Sequence, residues 1–446
     1  MPTKEELLAK AQKPGEDAMI LHPFYRGKVE VVPKCCVRDF NDFAIWYTPG
    51  VAKPCMDIFH HPEKVLEHTN KANFVAVVSD GTRVLGLGDI GPEAGLPVME
   101  GKALLFKYLG GVDAFPIMVD TKDPGEIIDF VLKIQPSFGG VNLEDFSQPK
   151  CFHILDTLRA KAKIPVWHDD QQGTAAVILA GFINALRLVG KDKTKVKIAM
   201  MGAGAANLCV ARMLIVYGVT PGNIIMCDIN GILHKGRTEL QQDFKEMWHM
   251  CQITNAGNVT GGPAETCKGA DVLIALSAPG PDTVKKEWIS SMTDKSIVFV
   301  CANPIPEIWP WDAKEAGAYV VATGRSDFPN QVNNSLGFPG IFRGTLDVMA
   351  TTITDEMCIA AAQALADVAY KGKKGISTEY LVPTMDEWEV YPREAQEVGL
   401  MAQKQGVARL KLSAEEIFQM ADRTIKRARE QVHLMMEKGF IPAPPV

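Results

Sequence analysis

Short apolar runs alternate with amphipathic helical segments along most of this 446-residue chain, and this alternation restricts the folds that the chain can adopt. Two series can be separated, one between residues 74 and 167 and the other between residues 196 and 322. Strands that are each followed by a helix form parallel sheets with helices packed on their faces. The pattern therefore predicts an α/β protein in which the second series forms a doubly wound, Rossmann-like parallel sheet.

The predicted strands divide the chain into regions. In the first series they lie at 74–78, 115–119, 141–143 and 165–167, and an isolated strand is predicted earlier, at 29–32. In the second series they lie at 196–201, 224–227, 272–276, 297–301 and 319–322. After residue 345 the pattern is almost wholly helical. We expect an N-terminal α/β domain over 1–165, a dinucleotide-binding domain over 166–374 and a helical segment over 375–446.

The composition argues against several classes of protein. The net charge is −6, and the one tight basic cluster is Lys371, Lys373 and Lys374, so nucleic acid is not an expected partner. Ten cysteines are scattered without C-x-x-C spacing, which suits neither a disulfide framework nor a zinc site. The charged first twenty residues lack an apolar signal core, and the apolar run 175–186 is too short to span a bilayer. We expect a cytoplasmic protein that does not bind membranes.

The second series opens with a strand that turns through Gly202 and Gly204 into a helix. Such a turn lets the backbone approach a pyrophosphate closely and directs the positive end of the helix toward it. Ala205, Ala206 and Asn207 continue the motif as candidate cofactor-binding residues. Because Asn207 takes the place of the usual third glycine, we expect the helix to lie slightly further from the sheet.

The following strand ends at Asp228, which bears on the choice of cofactor. A carboxylate there can accept hydrogen bonds from the adenosine ribose, and it would repel a 2′-phosphate. No basic residue follows immediately, so the sequence favours NAD over NADP. Lys235 and Arg237 lie close enough along the chain to weaken that preference.

Five polar segments fall at predicted strand ends, turns and helix starts. They are Tyr-Thr-Pro-Gly at 47–50, Thr-Arg-Val-Leu-Gly-Leu-Gly-Asp at 82–89, Glu-Gly-Lys at 100–102, Asn-Leu-Glu-Asp at 142–145 and His-Asp-Asp-Gln-Gln-Gly-Thr at 168–174. In this order and at these separations they resemble the malic enzymes, in particular the short microbial form. The resemblance runs from about residue 33 to residue 347 and includes the dinucleotide turn. It implies oxidation of (S)-malate to pyruvate and carbon dioxide, with reduction of NAD or NADP.

The resemblance also implies a metal site. Glu144, Asp145 and Asp170 match the three metal ligands of the family, and oxygen-only ligands suit Mg²⁺ or Mn²⁺. Any one of these carboxylates, taken alone, would be read as a solvated surface charge. Neighbours within a strand point to opposite faces, so Glu144 and Asp145 can share one ion only if the strand has ended before them.

Catalytic roles follow by the same matching. Lys102 matches the lysine that takes the proton of the C2 hydroxyl, and Asp169 matches a carboxylate that orients it. A lysine serves as a base near neutral pH only when its surroundings lower its pKa. Tyr47 matches the tyrosine that returns a proton to the enolate carbon after decarboxylation.

Three further residues complete the implied pocket. Arg83 matches the arginine that grips a substrate carboxylate through a forked pair of hydrogen bonds. Asn303 and Asn333 match residues that bind the substrate, and Asn303 is also a candidate for the nicotinamide amide. For Asn334 we prefer simple turn chemistry.

Other readings stay open at this point. A malolactic enzyme, which converts malate to lactate without net reduction of its cofactor, would use the same residues. So would an oxidative decarboxylase of another β-carboxy 2-hydroxy acid. A nucleotide-sensing protein with an inactive site belongs to a different class, and the joint presence of Tyr47, Lys102, Glu144, Asp145 and Asp170 argues against it. The resemblance implies a homodimer or a larger homo-oligomer.

Overall fold

The computed structural model describes residues 4–445 of the chain, with side chains from residue 12 onward. Four parallel strands form the first sheet: β1 (Phe74–Ser79), β2 (Asp113–Met118), β3 (Gly140–Leu143) and β4 (Val166–His168). Their order across the sheet is β2-β1-β3-β4. The helices of this part are α1 (Lys4–Tyr25), α2 (Asp42–Trp46), α3 (Ala52–His60), α4 (Val65–His68), α5 (Pro92–Gly110), α6 (Pro124–Ile134) and α7 (Lys150–Lys161).

The long helix α8 (Thr174–Val189) leads to the second sheet. This sheet contains β5 (Ile198–Met201), β6 (Ile224–Asp228), β7 (Gly231–Ile232), β8 (Val272–Ala275), β9 (Ile297–Val300) and β10 (Val320–Thr323). The order is β10-β9-β8-β5-β6-β7, and all pairs are parallel except β6 with β7. Its helices are α9 (Ala205–Tyr217), α10 (Lys245–Ile253), α11 (Pro263–Cys267), α12 (Lys286–Ser290) and α13 (Pro310–Glu315). The strand order reverses between β5 and β8, which is where such sheets bind their ligands.

Four helices follow the second sheet: α14 (Phe338–Asp347), α15 (Asp355–Lys371), α16 (Val390–Lys404) and α17 (Ala414–Glu437). They do not form a separate body, because α14 and α17 both pack against α5 in the first part of the chain. The Phe106 ring of α5 lies 4.6 Å from the ring of Phe338 and 5.1 Å from that of Phe342. The last quarter of the chain therefore supports the helix that carries Lys102.

Helix α8 lies at the centre of the molecule, and every residue from 175 to 186 is buried. Together with the preceding turn, Asp169–Val189 is long and apolar enough to cross a membrane, but 83% of its apolar window is buried inside the protein. Between residues 175 and 186 the helix has one polar side chain, Asn184. Its amide donates to the carbonyl oxygens of Ala366 and Leu381 at 2.8 and 2.7 Å. The helix thus belongs to the core that both sheets share.

Most predicted strands are present within a residue or two of their expected ends. The strand predicted at 29–32 is wrong, because no other described strand lies beside this segment to pair with it. Val31 and Val32 are 80% and 58% exposed. Valine stabilises a strand mainly by packing against neighbouring side chains, and these two exposed valines lack that packing. Strand β4 pairs with β3, and the first sheet therefore continues past residue 165 to His168.

Candidate active site

Three carboxylates meet where β3 and β4 end. Glu144, Asp145 and Asp170 each offer an oxygen that lies within 4.8 Å of the oxygens of the other two. Because β3 and β4 are adjacent and parallel, the residues that follow them come together at one edge of the sheet. The three metal ligands predicted from the sequence are thus close neighbours, although Asp145 and Asp170 are separated by 25 positions along the chain.

The backbone at Asp145 explains how two adjacent residues face the same point. Strand β3 ends at Leu143, and Asp145 adopts a left-handed conformation with φ +58°. A non-glycine residue there carries a conformational cost, and hydrogen bonds offset it. The Asp145 N–H donates to Asp170 Oδ2 at 2.7 Å, and its carbonyl oxygen accepts from the N–H of Arg83 at 2.9 Å. The condition that the strand ends before Glu144 is confirmed.

A five-residue π-helical turn, Asp169–Gly173, connects β4 to α8. Turns of this kind are rare and occur frequently at functional sites. A Cβ at Gly173 would lie 2.0 Å from Asp169 Oδ1, so only glycine leaves room for this carboxylate. The turn thereby directs Asp169 and Asp170, two consecutive residues, toward the cluster.

Lys102 is the cation of this group. Its side chain is 7% exposed, and its Nζ lies 2.5 Å from Asp169 Oδ2 and 3.0 Å from Glu144 Oε1. It also lies 4.4 Å above the centre of the Phe338 ring. Burial lowers the pKa of Lys102, but the charges of Asp169 and Glu144 outweigh that effect and raise the pKa above its ordinary value. A lysine that acts as a base near neutral pH requires a lowered pKa, and the raised pKa of Lys102 in this structure differs from that expectation.

The carboxylates are short of positive partners. Burial raises the pKa of Glu144, Asp169 and Asp170, and burial with the charge of Asp170 raises that of Asp145 to about 8. Asp145 Oδ2 is buried and has no hydrogen-bond partner among the described residues. Crowded carboxylates with an unsatisfied buried oxygen are a poor arrangement without a cation. The donor set fits a hard divalent ion.

Two predicted pocket residues lie at the rim of this cluster. Arg83 is exposed, and its charge is one of the smaller effects that oppose the burial-induced rise in the pKa of Asp170. Asn303 follows β9 and is also exposed. A Cβ at Gly86 would lie 2.3 Å from the Asn303 carbonyl oxygen, so the loop of Arg83 touches the loop of Asn303. The two parts of the chain meet directly beside the cluster.

Tyr47 is placed differently. It follows α2, and its side chain is 73% exposed. No hydrogen bond or ion pair between the described residues joins its hydroxyl to the carboxylates or to Lys102. Within one chain, the structure does not bring Tyr47 into the cluster.

The two neighbouring asparagines, Asn333 and Asn334, make different contacts. The Asn333 oxygen accepts from the Ser335 N–H at 3.0 Å and caps a short 3-10 turn. The Asn334 amide instead donates to Asp169 Oδ2. The assignment of Asn334 to simple turn chemistry is therefore wrong, because its side chain bonds a carboxylate of the site. Spacing alone offered no signal for choosing between adjacent asparagines.

His168 received no role from the sequence, yet it lies inside the site. Its Nδ1 is 3.6 Å from Asp170 Oδ2, and the residue is fully buried. Burial lowers the pKa of His168 to about 4, so its ring is neutral beside the carboxylates. The sequence did contain one indication of a role for His168: it lies at the end of β4, directly before the predicted site residues Asp169 and Asp170.

The dinucleotide turn has the expected shape. Gly202 has φ +88°, and a Cβ on it would lie 2.4 Å from the Leu276 carbonyl oxygen, so glycine is required on both counts. Gly204 is the N-cap of α9, and Ala205 and Ala206 are the first, half-buried residues of that helix. The first turn of α9 thus presents free backbone N–H groups at the switch point of the sheet.

Asn207 acts on the turn. It is fully buried, and its amide donates to the carbonyl oxygens of Met201 and Gly202, both at 2.8 Å. These bonds fasten α9 to the end of β5. A third glycine could not supply them.

Asp228 ends β6 and is held by a cation. Arg237 donates to it through a fork, with Nη1 to Oδ1 at 3.1 Å and Nη2 to Oδ2 at 2.9 Å. Arg237 Nε also bonds Glu239, and the guanidinium is almost entirely buried. The negative charge of Asp228 is therefore balanced by Arg237. The sequence indicated this only through the closeness of Arg237 to Asp228 along the chain.

Two family profiles match most of this chain. The profile described as "Malic enzyme, N-terminal domain" matches residues 26–125, and that described as "Malic enzyme, NAD binding domain" matches residues 171–394. Among characterised relatives, the bifunctional malic/malolactic enzyme of Bacillus subtilis is 48% identical over 90% of this chain and 96% of its own length. The NADP-dependent malic enzyme of Halomonas elongata is 43% identical over 86% of this chain and 92% of its own.

Solved structures are equally similar. The malic enzyme of Entamoeba histolytica is 50% identical with a TM-score of 0.95, over 99% of this chain and 93% of that one. The malic enzyme of Pyrococcus horikoshii is 51% identical with a TM-score of 0.89, over 92% and 95% of the two chains. Both profiles and these near-complete relatives agree with the α/β fold, and the chain belongs to the malic enzyme family, whose members oxidise and decarboxylate malate with a nicotinamide dinucleotide.

Proposed function

We propose that the family's reaction, oxidative decarboxylation of malate to pyruvate, runs at the acidic cluster, with Glu144, Asp145 and Asp170 as ligands of Mg²⁺ or Mn²⁺. The observation that carries this proposal is the approach of three carboxylate oxygens within 4.8 Å of one another, in a cluster where Asp145 Oδ2 is buried without a hydrogen-bond partner among the described residues. When bound, a divalent cation supplies polarisation of the substrate's C2 oxygen and charge stabilisation at the same atom. Proton transfer and the binding of substrate and cofactor are assigned to the protein's own side chains.

Lys102 is proposed to take the proton from the C2 hydroxyl of malate. Its Nζ is buried against the cluster, 2.5 Å from Asp169 Oδ2. To accept this proton the lysine must be the neutral amine. A divalent cation held by the carboxylates would favour that form, because it would offset the negative charges that raise the pKa of Lys102. Asn334 donates to the same Asp169 oxygen and so restrains the carboxylate that orients the lysine. Asp169 is in this scheme a positioning residue that acts through Lys102.

Substrate and nicotinamide are proposed to lie beside the contact between the loop that contains Arg83 and the loop that contains Asn303. Arg83 offers a guanidinium to a malate carboxylate at the exposed rim. Asn303, on the opposite loop, is available to both the substrate and the nicotinamide amide. Asn333 is proposed to bind the substrate as well, and its side-chain oxygen caps the short turn that follows it. Exposure of both rim residues leaves room for a small molecule to enter.

NAD is proposed as the preferred dinucleotide. Asp228 at the end of β6 supports this choice, since a carboxylate there suits an unmodified ribose. The fork from Arg237 makes the preference modest, because the cation offsets repulsion of a 2′-phosphate. The relatives carry both labels: that of Geobacillus stearothermophilus is named NAD-dependent and that of Halomonas elongata NADP-dependent.

We further propose a homodimer or larger homo-oligomer in the cytoplasm. Residues 19–59, here termed the N-terminal arm, expose many large apolar side chains, among them Phe40 at 89% and Phe59 at 73%. Exposed apolar patches of this kind mark association surfaces. Tyr47, the proposed proton donor to the enolate carbon, lies on the same arm, so assembly would cover it. All ten cysteines are free thiols, as in a reducing compartment.

We also propose that the chain divides into domains over 1–165, 166–374 and 375–446. Pairing of β4 with β3 supports moving the first boundary to just after His168. Packing of α14 and α17 on α5 makes the last segment a support of the first domain rather than an independent unit.

The decisive experiment assays malate with Mg²⁺ or Mn²⁺ and with each of NAD and NADP, following reduced cofactor and pyruvate together. We expect activity that EDTA abolishes and added metal restores. Lys102→Ala should lower kcat by about 10²–10⁴-fold, the range for loss of a general base, while Mn²⁺ binding persists. Asp170→Asn should weaken Mn²⁺ binding itself. Wild-type protein that reduces neither cofactor would contradict the proposal.

A malolactic activity is the second candidate, and one observation favours it: the relative from Bacillus subtilis is named as bifunctional. The same assay separates the two, since the malolactic reaction forms lactate with no net reduction of the cofactor. Lactate without reduced cofactor would replace the first proposal with the second.

A further inference from the structure

Glu307 is a buried carboxylate that the reaction scheme does not use. It lies a few residues after β9 and is 0% exposed. Its Oε1 accepts from the Ser277 N–H at 2.8 Å and from the Ser277 hydroxyl at 3.3 Å, and its Oε2 accepts from the Ala302 N–H at 3.1 Å. One side chain thus joins the loop that follows β8 to the loop that follows β9.

Both loops border the cofactor crevice. A Cβ at Gly202 would lie 2.4 Å from the Leu276 carbonyl oxygen and 3.3 Å from Ser277 Cα, so the β8 loop lies against the dinucleotide turn. The β9 loop contains Asn303, the residue next to Ala302. Glu307 therefore sits between the turn that receives the pyrophosphate and the residue that meets the nicotinamide.

A carboxylate at this place is costly to bury. No cation pairs with it in the described part of the chain. Burial raises the pKa of Glu307 to about 7, while the N–H groups of Ser277 and Ala302 act in the opposite direction. Burying a charge without a paired cation is unfavourable unless donors satisfy it, and an apolar side chain would fill the space more cheaply. The cost indicates a role beyond packing.

We propose that Glu307 is a positioning residue for the nicotinamide half of the cofactor, acting through the loops of Ser277 and Ala302–Asn303. It touches neither cofactor nor substrate. By fixing two backbone N–H groups it holds the β9 loop so that Asn303 projects at a set distance from the dinucleotide turn. The inference rests on the proposed contact between Asn303 and the nicotinamide.

Two ligands separate positioning from a general structural role. NADH carries the nicotinamide ring and ADP-ribose lacks it, and both are measured by direct binding without malate. Glu307→Gln keeps the shape of the side chain but sets an NH₂ group against one of the two backbone N–H donors. We expect about tenfold weaker NADH binding, in line with the loss of one hydrogen bond to a charged group, and less than about twofold change for ADP-ribose.

The control is Glu394→Gln, which removes another fully buried carboxylate, on α16, that has no hydrogen-bond partner among the described residues. It should leave both affinities at the wild-type level. If Glu307→Gln does not fold, Glu307→Asp keeps the charge but is one methylene too short to reach both loops, and it should give the same pattern.

Equal loss of NADH and ADP-ribose affinity, or no loss of either, overturns the inference. Because these measurements need no turnover, wild-type protein that binds NADH but does not oxidise malate would contradict the proposed function alone. In active protein, KM for NAD should rise more than kcat falls.

Discussion

At the scale of single residues, the fork between Arg237 and Asp228 bears directly on the choice of cofactor. Removing the cation leaves an uncompensated carboxylate where a 2′-phosphate would lie. We expect Arg237→Gln to lower kcat/KM for NADP by about tenfold or more, because repulsion of about 1.4 kcal/mol or more returns, and to change kcat/KM for NAD by less than about threefold. Steady-state kinetics with both cofactors measures this.

The control for Arg237 is Lys235→Ala, in which an exposed cation of the same loop is removed. It should leave the ratio between the two cofactors unchanged. An equal fall for NAD and NADP in Arg237→Gln would show instead that the guanidinium only supports the loop.

The three carboxylates that the sequence proposed as metal ligands, and that the structure brings together, share one property: each follows a predicted strand. Glu144, Asp145 and Asp170 could be expected together because parallel strands end at a common edge. Asn334 and Glu307 could not, because their roles depend on loop conformations that no local pattern specifies. Asn334 reaches Asp169 while its neighbour Asn333 caps a turn. Glu307 lies in the loop after β9 and bonds both Ala302 of that loop and Ser277 of the loop after β8.

At the scale of elements, the π-helical turn before α8 is the feature on which the cluster depends most. Its last residue, Gly173, has no room for a Cβ beside Asp169. We expect Gly173→Ala to displace Asp169 from Lys102 and lower kcat by about 10–100-fold, as small misplacements near a reacting centre do. Kinetics together with thermal unfolding measures the effect.

A matched substitution exists on α5. A Cβ at Gly101 would have no neighbouring atom within 4 Å, so Gly101→Ala should keep turnover and stabilise the helix by up to about 1 kcal/mol. Wild-type turnover in Gly173→Ala would mean that the turn relaxes without moving Asp169, and the proposed role of the glycine would be lost.

Elements were predictable to different degrees for physical reasons. Strands β1, β3, β5, β8 and β9 are wholly or almost wholly buried apolar runs, and their hydrophobic patterns predicted them. The two-residue β7 is too short to leave a pattern, and a π-helical turn has no distinct hydrophobic period. The valines near residue 30 satisfied the propensity of a strand but had no sheet to join.

At the scale of the whole molecule, the N-terminal arm leaves apolar surface that a single chain does not cover. We expect the purified protein to have at least the mass of a dimer in light scattering. Replacing Phe40 and Phe59 together by Asp should give monomers, because each charge would be buried without a partner in the interface. Turnover should fall in the same variant.

Val216→Glu provides the comparison, since Val216 is an exposed apolar residue of α9 outside the arm. That variant should keep the wild-type mass. A monomeric wild-type protein, or an unchanged mass in the double variant, would show that the arm is not the surface of association.

The packing of α17 on α5 has a consequence for how the enzyme comes into being. Tyr108 at the end of α5 bonds His433 and lies under Arg429, and Gly111 abuts Thr424. During synthesis, α5 with Lys102 therefore leaves the ribosome more than three hundred residues before its neighbour His433 on α17 emerges. We expect a nascent chain to stay catalytically incomplete until α17 has left the ribosome.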